Sequence, residues 1–480
     1  MTKRKLALAV ALAAVGSMWM GTACAGEKTD ARAAAEESLE TYELEPVTVE
    51  GERAEERAEE GSFVAREGSV GILGEQDTME TPFTTTNIKR DTITSFGDPS
   101  QPLDSVLAVS PSVRATGSVL HNDFQLRGFR SNGSSSYVNG IPDMFTQFNA
   151  PLYVIESVDI VSGPNSGLSA NGTHYESNAA GGMVNFVTKR AGKDDLTRLT
   201  LTNSGKSMMG AYFDLARRFG RNKDWGARIM VEKVDGETAV DGQKVKSASI
   251  YINLDHEGEK SKTNFFTGYR QNEVVGGQRW FKLGSGVTRF PSVPKASRNY
   301  AFDGMDKASY GWLMALNHEQ KFSKDWKWFL NAGTMENKLN QNVMYRFSAI
   351  TLLNDAGDFN LEQQQTTTPQ KAHYVQLGVR GKLRAGRTEH DLTLAVDHAW
   401  RERSAAKAGS RVSNLGTGNI YTGIINQIRQ PHTDYEPYLA NRTKTRGLSF
   451  ADSITMNKWN VLLGIHYHSS DVTAYNQTGR

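Results

Sequence analysis

At 480 residues with a formal net charge of +2, the chain is too long for one small core and too evenly charged to point to nucleic acid as a partner. Only 38% of its residues are hydrophobic while glycine reaches 45, a mixture that suits glycine-turned β-structure. After residue 25 no apolar run approaches the roughly 20 residues that a membrane-crossing helix needs, which argues against a helical transporter but not against a β-barrel.

Lys3, Arg4 and Lys5 precede an apolar run from Leu6 to Val15, and Ala23-Cys24-Ala25 offers the small residues that a signal peptidase reads. Residues 1–25 are therefore expected to be an export signal, with the mature chain starting at Gly26. Acylation at Cys24 is the alternative, although Gly21-Thr22-Ala23 lacks the usual leucine. Cys24 is the only cysteine, so no disulfide can form within the mature chain. From Gly26 to Glu60 the composition is rich in Ala and Glu, as in a solvated arm. One β-prone island, Leu44-Glu45-Pro46-Val47-Thr48-Val49-Glu50, interrupts it. Such a run can add itself to the sheet edge of a partner; it can equally be an incidental apolar stretch in a linker. Glu50 to Glu60 carries mixed charge at helical spacing and reads as a frayed helical spacer.

Between residues 61 and 192 glycine, proline, serine and asparagine punctuate short apolar segments, as in a small α/β globule. Leu103 to Val109 reads as a helical turn or two. Phe124 to Phe129 alternates as a strand, and Tyr137 to Pro142 reads as strand then turn. Tyr153 to Ala191 reads as two strands around a polar, glycine-rich loop, with Val154, Val158, Ile160, Val184, Phe186 and Val187 as its apolar β-formers.

From residue 193 onward apolar and polar residues alternate in about a dozen segments. Examples are Ile250, Ile252 and Leu254; Trp312, Met314 and Leu316; Leu392, Leu394 and Val396; and Val461, Leu463 and Ile465. A soluble sandwich would alternate too. The export signal, the Trp and Tyr residues near segment ends, and the alternation of tight connections (222–224, 323–325) with long polar ones (272–307, 401–442) favour an antiparallel transmembrane barrel.

The ordered set Leu126-Arg127-Gly128-Phe129, Val138-Asn139-Gly140-Ile141-Pro142, Val154 to Val161, Gly163-Pro164-Asn165-Ser166 and Gly181 to Lys189 resembles the plug signature of TonB-dependent outer-membrane receptors, in particular the siderophore-receptor branch. Val47-Thr48-Val49-Glu50-Gly51 resembles the TonB box of that family, the segment that the periplasmic energy transducer TonB engages. The run Gly447 to Ser453, followed by Trp459 to Tyr467, resembles a barrel hairpin of the same branch. The resemblance implies a mainly β fold, a small α/β plug followed by an antiparallel transmembrane barrel, in the bacterial outer membrane. It also implies a monomer that binds a ferric siderophore and imports it when TonB pulls; haem, cobalamin or another metal chelate is the alternative ligand. The family's barrel has about 22 strands, and about half are expected here. A fragment or a broken reading frame would explain this, and 480 residues alone are expected not to transport, as a non-transporting remnant.

Within that resemblance Arg127 and Glu156 are candidates for a plug–barrel lock, although Ser162 stands where the family usually has an arginine before Gly-Pro. Arg130, Phe145, Gln147, Phe148, His174 and Tyr175 in plug loops, with Arg279 and Trp280 in a barrel loop, give the aromatic and cationic mixture that suits an anionic chelate. For each of these, ordinary loop packing is the competing explanation. His466 and His468 share one strand face and read as lumen lining rather than a metal site. No nucleophile–base set, phosphate-binding loop, dinucleotide fingerprint or CxxC motif is present, so no catalysis and no cofactor are expected. The space before Val47 is too short for a folded signalling domain.

Overall fold

The computed structural model describes residues 67–77, 81–97, 102–115, 119, 122–132, 135–145, 151–164, 180–277, 280–344, 349–406, 411–427 and 436–477, all within one compact unit. The expected export signal, the arm over 26–60 with Val47 to Gly51, and the helical spacer lie outside the described residues.

The first part opens with a hairpin, β1 (Glu67–Ser69) and β2 (Glu75–Asp77), followed by β3 (Thr84–Lys89) and two short helices, α1 (Arg90–Phe96) and α2 (Pro102–Leu107). Strands β4 (Val113–Ala115), β5 (Asp123–Leu126) and β6 (Phe129–Asn132) make a three-stranded sheet. Strands β7 (Tyr137–Val138), β8 (Ile141–Pro142), β9 (Ile155–Ser162) and β10 (Gly182–Thr188) join β3 in a five-stranded sheet of order β3-β9-β10-β7-β8. Ile93, Leu103, Val106 and Leu107 of the helices and Val158, Ile160, Val184 and Phe186 of the sheet are buried in one core, as their spacing on one face requires.

The segment expected as one strand from Phe124 to Phe129 is instead a hairpin. Arg127 and Gly128 both adopt positive φ, 50° and 87°, and reverse the chain between β5 and β6. Asn139 and Gly140, at 49° and 78°, do the same between β7 and β8, the Asn-Gly turn that matches strand twist. Alternation alone misses the first reversal because arginine seldom takes this conformation.

Asp159 on β9 is 4% exposed and stands in register between Asn87 of β3 and Asn185 of β10. It accepts hydrogen bonds from the Ser69 backbone N–H at 3.2 Å and from Asn185 Nδ2 at 3.2 Å, with Asn87 Nδ2 on its other oxygen. The hairpin at the start of the described chain is thus pinned to the middle of the sheet. Burial raises the Asp159 pKa to about 6, so its folded value exceeds its unfolded one. Its contribution to stability is therefore fully present below about pH 4 and lost as pH rises through 6. Asp159→Asn should flatten the pH dependence of the denaturant midpoint between pH 4 and 6; an unchanged slope would contradict this assignment.

The second part is a fifteen-stranded sheet. Its members are β11 (Leu196–Ser204), β12 (Met208–Phe219), β13 (Trp225–Glu237), β14 (Lys244–Glu257), β15 (Ser261–Val275), β16 (Trp280–Leu283), β17 (Asp306–Lys321) and β18 (Trp326–Met344), then β19 (Ala349–Leu352), β20 (Asp358–Ala385), β21 (Thr388–Ala406), β22 (Arg411–Asn419), β23 (Gly423–Gln427), β24 (Pro437–Met456) and β25 (Trp459–Ala474). Eleven of them form one antiparallel path, β11-β12-β13-β14-β15-β17-β18-β20-β21-β24-β25. Connections at one end, 220–224, 258–260, 322–325, 386–387 and 457–458, are all short, whereas those at the other end include 276–305, 345–357 and 407–436, which are long, beside the short 205–207 and 238–243. The strands run further into the long connections than alternation suggests. Those connections share a second core, in which Tyr300, Phe302, Ile350, Phe359 and Ile420 are buried and Tyr300 Oη donates to the Ile420 carbonyl at 2.6 Å.

The two faces of this sheet invert the pattern of a soluble protein. Leu254, Met314, Leu377, Leu394 and Ile465 are exposed, while Asp214, Arg228, Glu232, Asn253 and Asp255 are buried. Apolar residues outside and polar residues inside are what lipid and a filled lumen demand. The inner face packs on the five-stranded part: Met230, Tyr251, Phe266, Leu313 and Met335 belong to the same core as Phe186 and Ile160.

Candidate functional site

The inner part is seated in the sheet by buried polar contacts. Asp214 of β12 receives Arg228 of β13 through two hydrogen bonds, Nε at 2.7 Å and Nη2 at 2.6 Å. It also meets Lys189, just past β10, at 3.4 Å. Burial lowers the Lys189 pKa to about 8, against the pull of Asp214. Arg228 Nη1 donates to the Arg190 carbonyl at 2.7 Å, Arg218 Nη1 to the Ala191 carbonyl at 2.9 Å, and Asn317 Nδ2 to the Asn139 carbonyl at 2.9 Å. Further round the wall, Arg380 of β20 donates from Nε to the Ile72 carbonyl at 2.9 Å, pairs with Glu319 at 2.7 Å and stacks 4.0 Å from the Phe329 ring centroid. Asp143 lies 3.9 Å from Arg401.

Arg127 and Glu156, the residues suggested for a lock, lie apart from one another. Arg127 is exposed, with its guanidinium beside Gly163 at the far end of β9. Glu156 is exposed at the near end of that strand, about 20 Å away by strand rise, where it acts electrostatically on Arg90 and Lys189. The ion pairs that join the two parts among the described residues are Lys189–Asp214 and Asp143–Arg401. The signal that could have found Asp214 and Arg228 is a pair of opposite charges on the polar faces of adjacent strands, which becomes a contact only once the register is known.

On the long-connection side of this seat lies a solvent-open cleft between Met144, Phe145 and Pro151 of the inner part and the inner face of β14, β15, β17 and β18. Tyr251 forms its floor, stacked on Phe266 at 5.4 Å and 4°. Gly268 allows this, since a Cβ there would collide with the Tyr251 ring. Arg270 lines the wall. Its Nη2 lies 3.5 Å from Ser247 Oγ and 3.7 Å from Glu232, while Nε and Nη1 are buried with no hydrogen-bond partner among protein atoms. Asn337 Oδ1 accepts from Ser309 at 3.0 Å and its Nδ2 has no partner. The lining of the cleft therefore combines aromatic and thioether surface with an arginine and an asparagine, a combination that suits an apolar-bodied ligand bearing anionic or carbonyl oxygens.

Of the residues expected to touch ligand, Phe145 lines the cleft and packs on Phe186 at 5.6 Å. Arg130 is exposed on β6 and pairs with Asp123 at 3.4 Å. Trp280 begins β16, which pairs in parallel with β19 in the long connections. Gln147, Phe148, His174, Tyr175 and Arg279 lie outside the described residues. His466 and His468 stack 6.1 Å apart, with His466 Nδ1 2.8 Å from Ser449 Oγ. Arg270 is absent from the sequence-level set because a lone arginine on a strand's polar face looks like any lumen residue.

A β plug wedged inside an antiparallel sheet with an apolar exterior defines a plugged outer-membrane barrel. Residues 77–183 match the family model described as TonB-dependent Receptor Plug Domain. The chain is 26% identical to the ferrichrome receptor FcuA of Yersinia enterocolitica over 412 residues, 84% of this chain and 52% of that protein. It is 21% identical to the ferrioxamine receptor of the same organism over 388 residues, 75% of this chain and 51% of that one. The crystal structure of BauA, the ferric preacinetobactin receptor of Acinetobacter baumannii, superposes with a TM-score of 0.77 at 23% identity, over 86% of this chain and 61% of that one. Residues 77–183 thus carry a plug of the TonB-dependent receptor type, and the chain, with that plug and an eleven-stranded antiparallel path among the described residues, is similar to siderophore receptors of the outer membrane. It spans about half the length of the curated relatives it matches.

Removing the shared carboxylate leaves two buried cations facing each other. Asp214→Ala should destabilise the plug–barrel unit by roughly 3–5 kcal/mol, seen as a lower midpoint in detergent-solubilised unfolding. Asp214→Asn should recover only part of it, and a wild-type midpoint for Asp214→Ala would contradict the seat.

Proposed function

We propose that the chain acts in the uptake of a ferric siderophore: the chelate is bound in the cleft over Tyr251 and Arg270, and passes to the periplasm when TonB, engaging Val47 to Gly51, displaces the plug. The observation that carries this reading is the cleft itself, walled on one side by the plug and on the other by the barrel, so that moving the plug removes one wall of the ligand's site. The relatives named as ferrichrome and ferrioxamine receptors support a siderophore as the cargo class. On this reading residues 1–25 are the export signal, 26–60 the periplasmic arm, 61–192 the plug and 193–480 barrel, and no catalytic step is involved. Phe145 contacts the chelate directly; Arg130, Gln147, Phe148, His174, Tyr175, Arg279 and Trp280 remain candidates for its outer rim.

Growth of an iron-starved, receptor-deleted strain on ferrichrome or ferrioxamine, restored by this gene in its full natural length, tests the reading. Deleting Glu45 to Gly51 should abolish that growth while leaving chelate binding to cells intact; growth unchanged by the deletion would contradict TonB-driven import. Arg270→Gln should weaken chelate binding about 10- to 100-fold, the worth of a charge-assisted contact, without altering receptor abundance. Unchanged affinity would remove Arg270 from the site.

A further inference from the structure

The three long connections close a triangle of contacts among themselves. The first (276–305) meets the second (345–357) through the parallel pairing of β16 with β19, in which Trp280 to Leu283 stand beside Ala349 to Leu352. The Gly284 N–H extends this pairing by donating to the Leu352 carbonyl at 2.9 Å. A Cβ at Gly284 or Gly286 would overlap the carbonyl oxygen of Leu352 or Leu353, so the two backbones approach more closely than other residues allow. Asp355 then accepts from the backbone N–H groups of Thr288 at 2.6 Å and Arg289 at 3.0 Å. The first meets the third (407–436) where Tyr421 Oη donates to the Ser292 carbonyl at 3.2 Å, and where Asp303 and Gln427 exchange two hydrogen bonds, at 3.0 and 3.3 Å. The third returns to the second: the Ile420 N–H donates to the Gly357 carbonyl at 3.0 Å and Asn419 Nδ2 to the Ala356 carbonyl at 2.7 Å.

The triangle is also fixed to the wall. Its core joins Tyr300, Ile350 and Ile420, one from each connection, to Val245, Val274 and Val343 of β14, β15 and β18. A connection that swung by itself would break its contacts with both of the others and open the shared core to water, so the three open together or not at all. The inner part contributes a single residue to that core among the described ones, Val119. The plug can therefore withdraw while the connections keep their packing.

We propose that the described parts of the three long connections form one rigid vestibule, fixed to the barrel wall, which the chelate enters without any connection closing over it, so that passage is gated at the plug. The uptake measurement rests on the import reading; the exchange measurement does not. In the full-length receptor, Asp303→Cys/Gln427→Cys ties the first connection to the third and Lys282→Cys/Thr351→Cys ties it to the second, each pair joined by a short reducible bis-thiol reagent. With either link in place, binding and uptake of ferrichrome or ferrioxamine should stay within about twofold of the unlinked receptor, because a link that holds the conformation already competent to bind shifts no equilibrium. A loss of about tenfold or more that reduction restores would overturn the proposal, since it would mean that the linked connections must move for the ligand. If the unlinked receptor takes up neither chelate, the import reading fails and hydrogen exchange on the ligand-free receptor in detergent decides alone. The backbone amides of 281–284, 350–352 and 418–420 should then open at one common rate, and Tyr300→Ala should speed all three segments together. One segment opening independently of the other two overturns the proposal, and does so on the unmodified receptor even if Tyr300→Ala fails to assemble.

Discussion

Lipid offers no hydrogen-bonding partner to a backbone, and the rest of this molecule follows from that constraint. Every N–H and C=O within the bilayer must be paired along the sheet, which the unbroken antiparallel path provides for the strands between β11 and β25 among the described residues, while those two end strands are laddered on one side only. Once the strands are laddered, their period of two sends alternate residues to lipid and to the lumen. Leu394 and Asp397 on β21, one exposed and one buried, owe their opposite fates to that parity.

A polar lumen then needs something to satisfy it, because a buried charge or amide without a partner is costly. The plug supplies much of that partnership through its own backbone. Arg218, Arg228, Asn317 and Arg380 each donate to a plug carbonyl, those of Ala191, Arg190, Asn139 and Ile72. The charge-to-charge contacts seen across the boundary among the described residues are Lys189–Asp214 and Asp143–Arg401. This division has a dynamic consequence: a hydrogen bond to a carbonyl can be exchanged for one to water as a gap opens, whereas separating Lys189 from Asp214 strands charges. A plug held mainly in the first way can be firmly seated and still be moved by force applied to one end, as the proposed function requires.

The architecture was legible in the sequence because it depends on period and punctuation. The alternation of Leu392, Leu394 and Val396 against polar neighbours, the tight turns at 222–224 and 323–325, and the ordered plug segments each report a local rule. The contacts that seat the plug were not legible, because they depend on register and on packing between distant segments. Asp214 and Arg228 are unremarkable lumen residues until strand pairing sets them together. Arg127 matches a family motif, yet its positive φ turns it toward Gly163 instead of the wall. Arg270 gave no signal at all, since what marks it is the absence of partners for Nε and Nη1, a property only of the folded cleft. The long connections hid a core of their own for the same reason: Tyr300 and Ile420 meet only after 120 residues of chain.

The central claim is that the plug sits in the lumen through polar contacts that must be released for passage. Thr188 and Asn253 touch across that boundary, with Nδ2 3.3 Å from Oγ1, and the one cysteine in these 480 residues, Cys24, lies within the expected export signal. The most direct measurement is iron uptake by cells carrying Thr188→Cys/Asn253→Cys in the full-length receptor, joined by a short reducible bis-thiol reagent. The joined receptor should bind the ferric chelate as the wild type does and deliver no iron until the link is reduced. Uptake at the wild-type rate with the link intact would contradict the account.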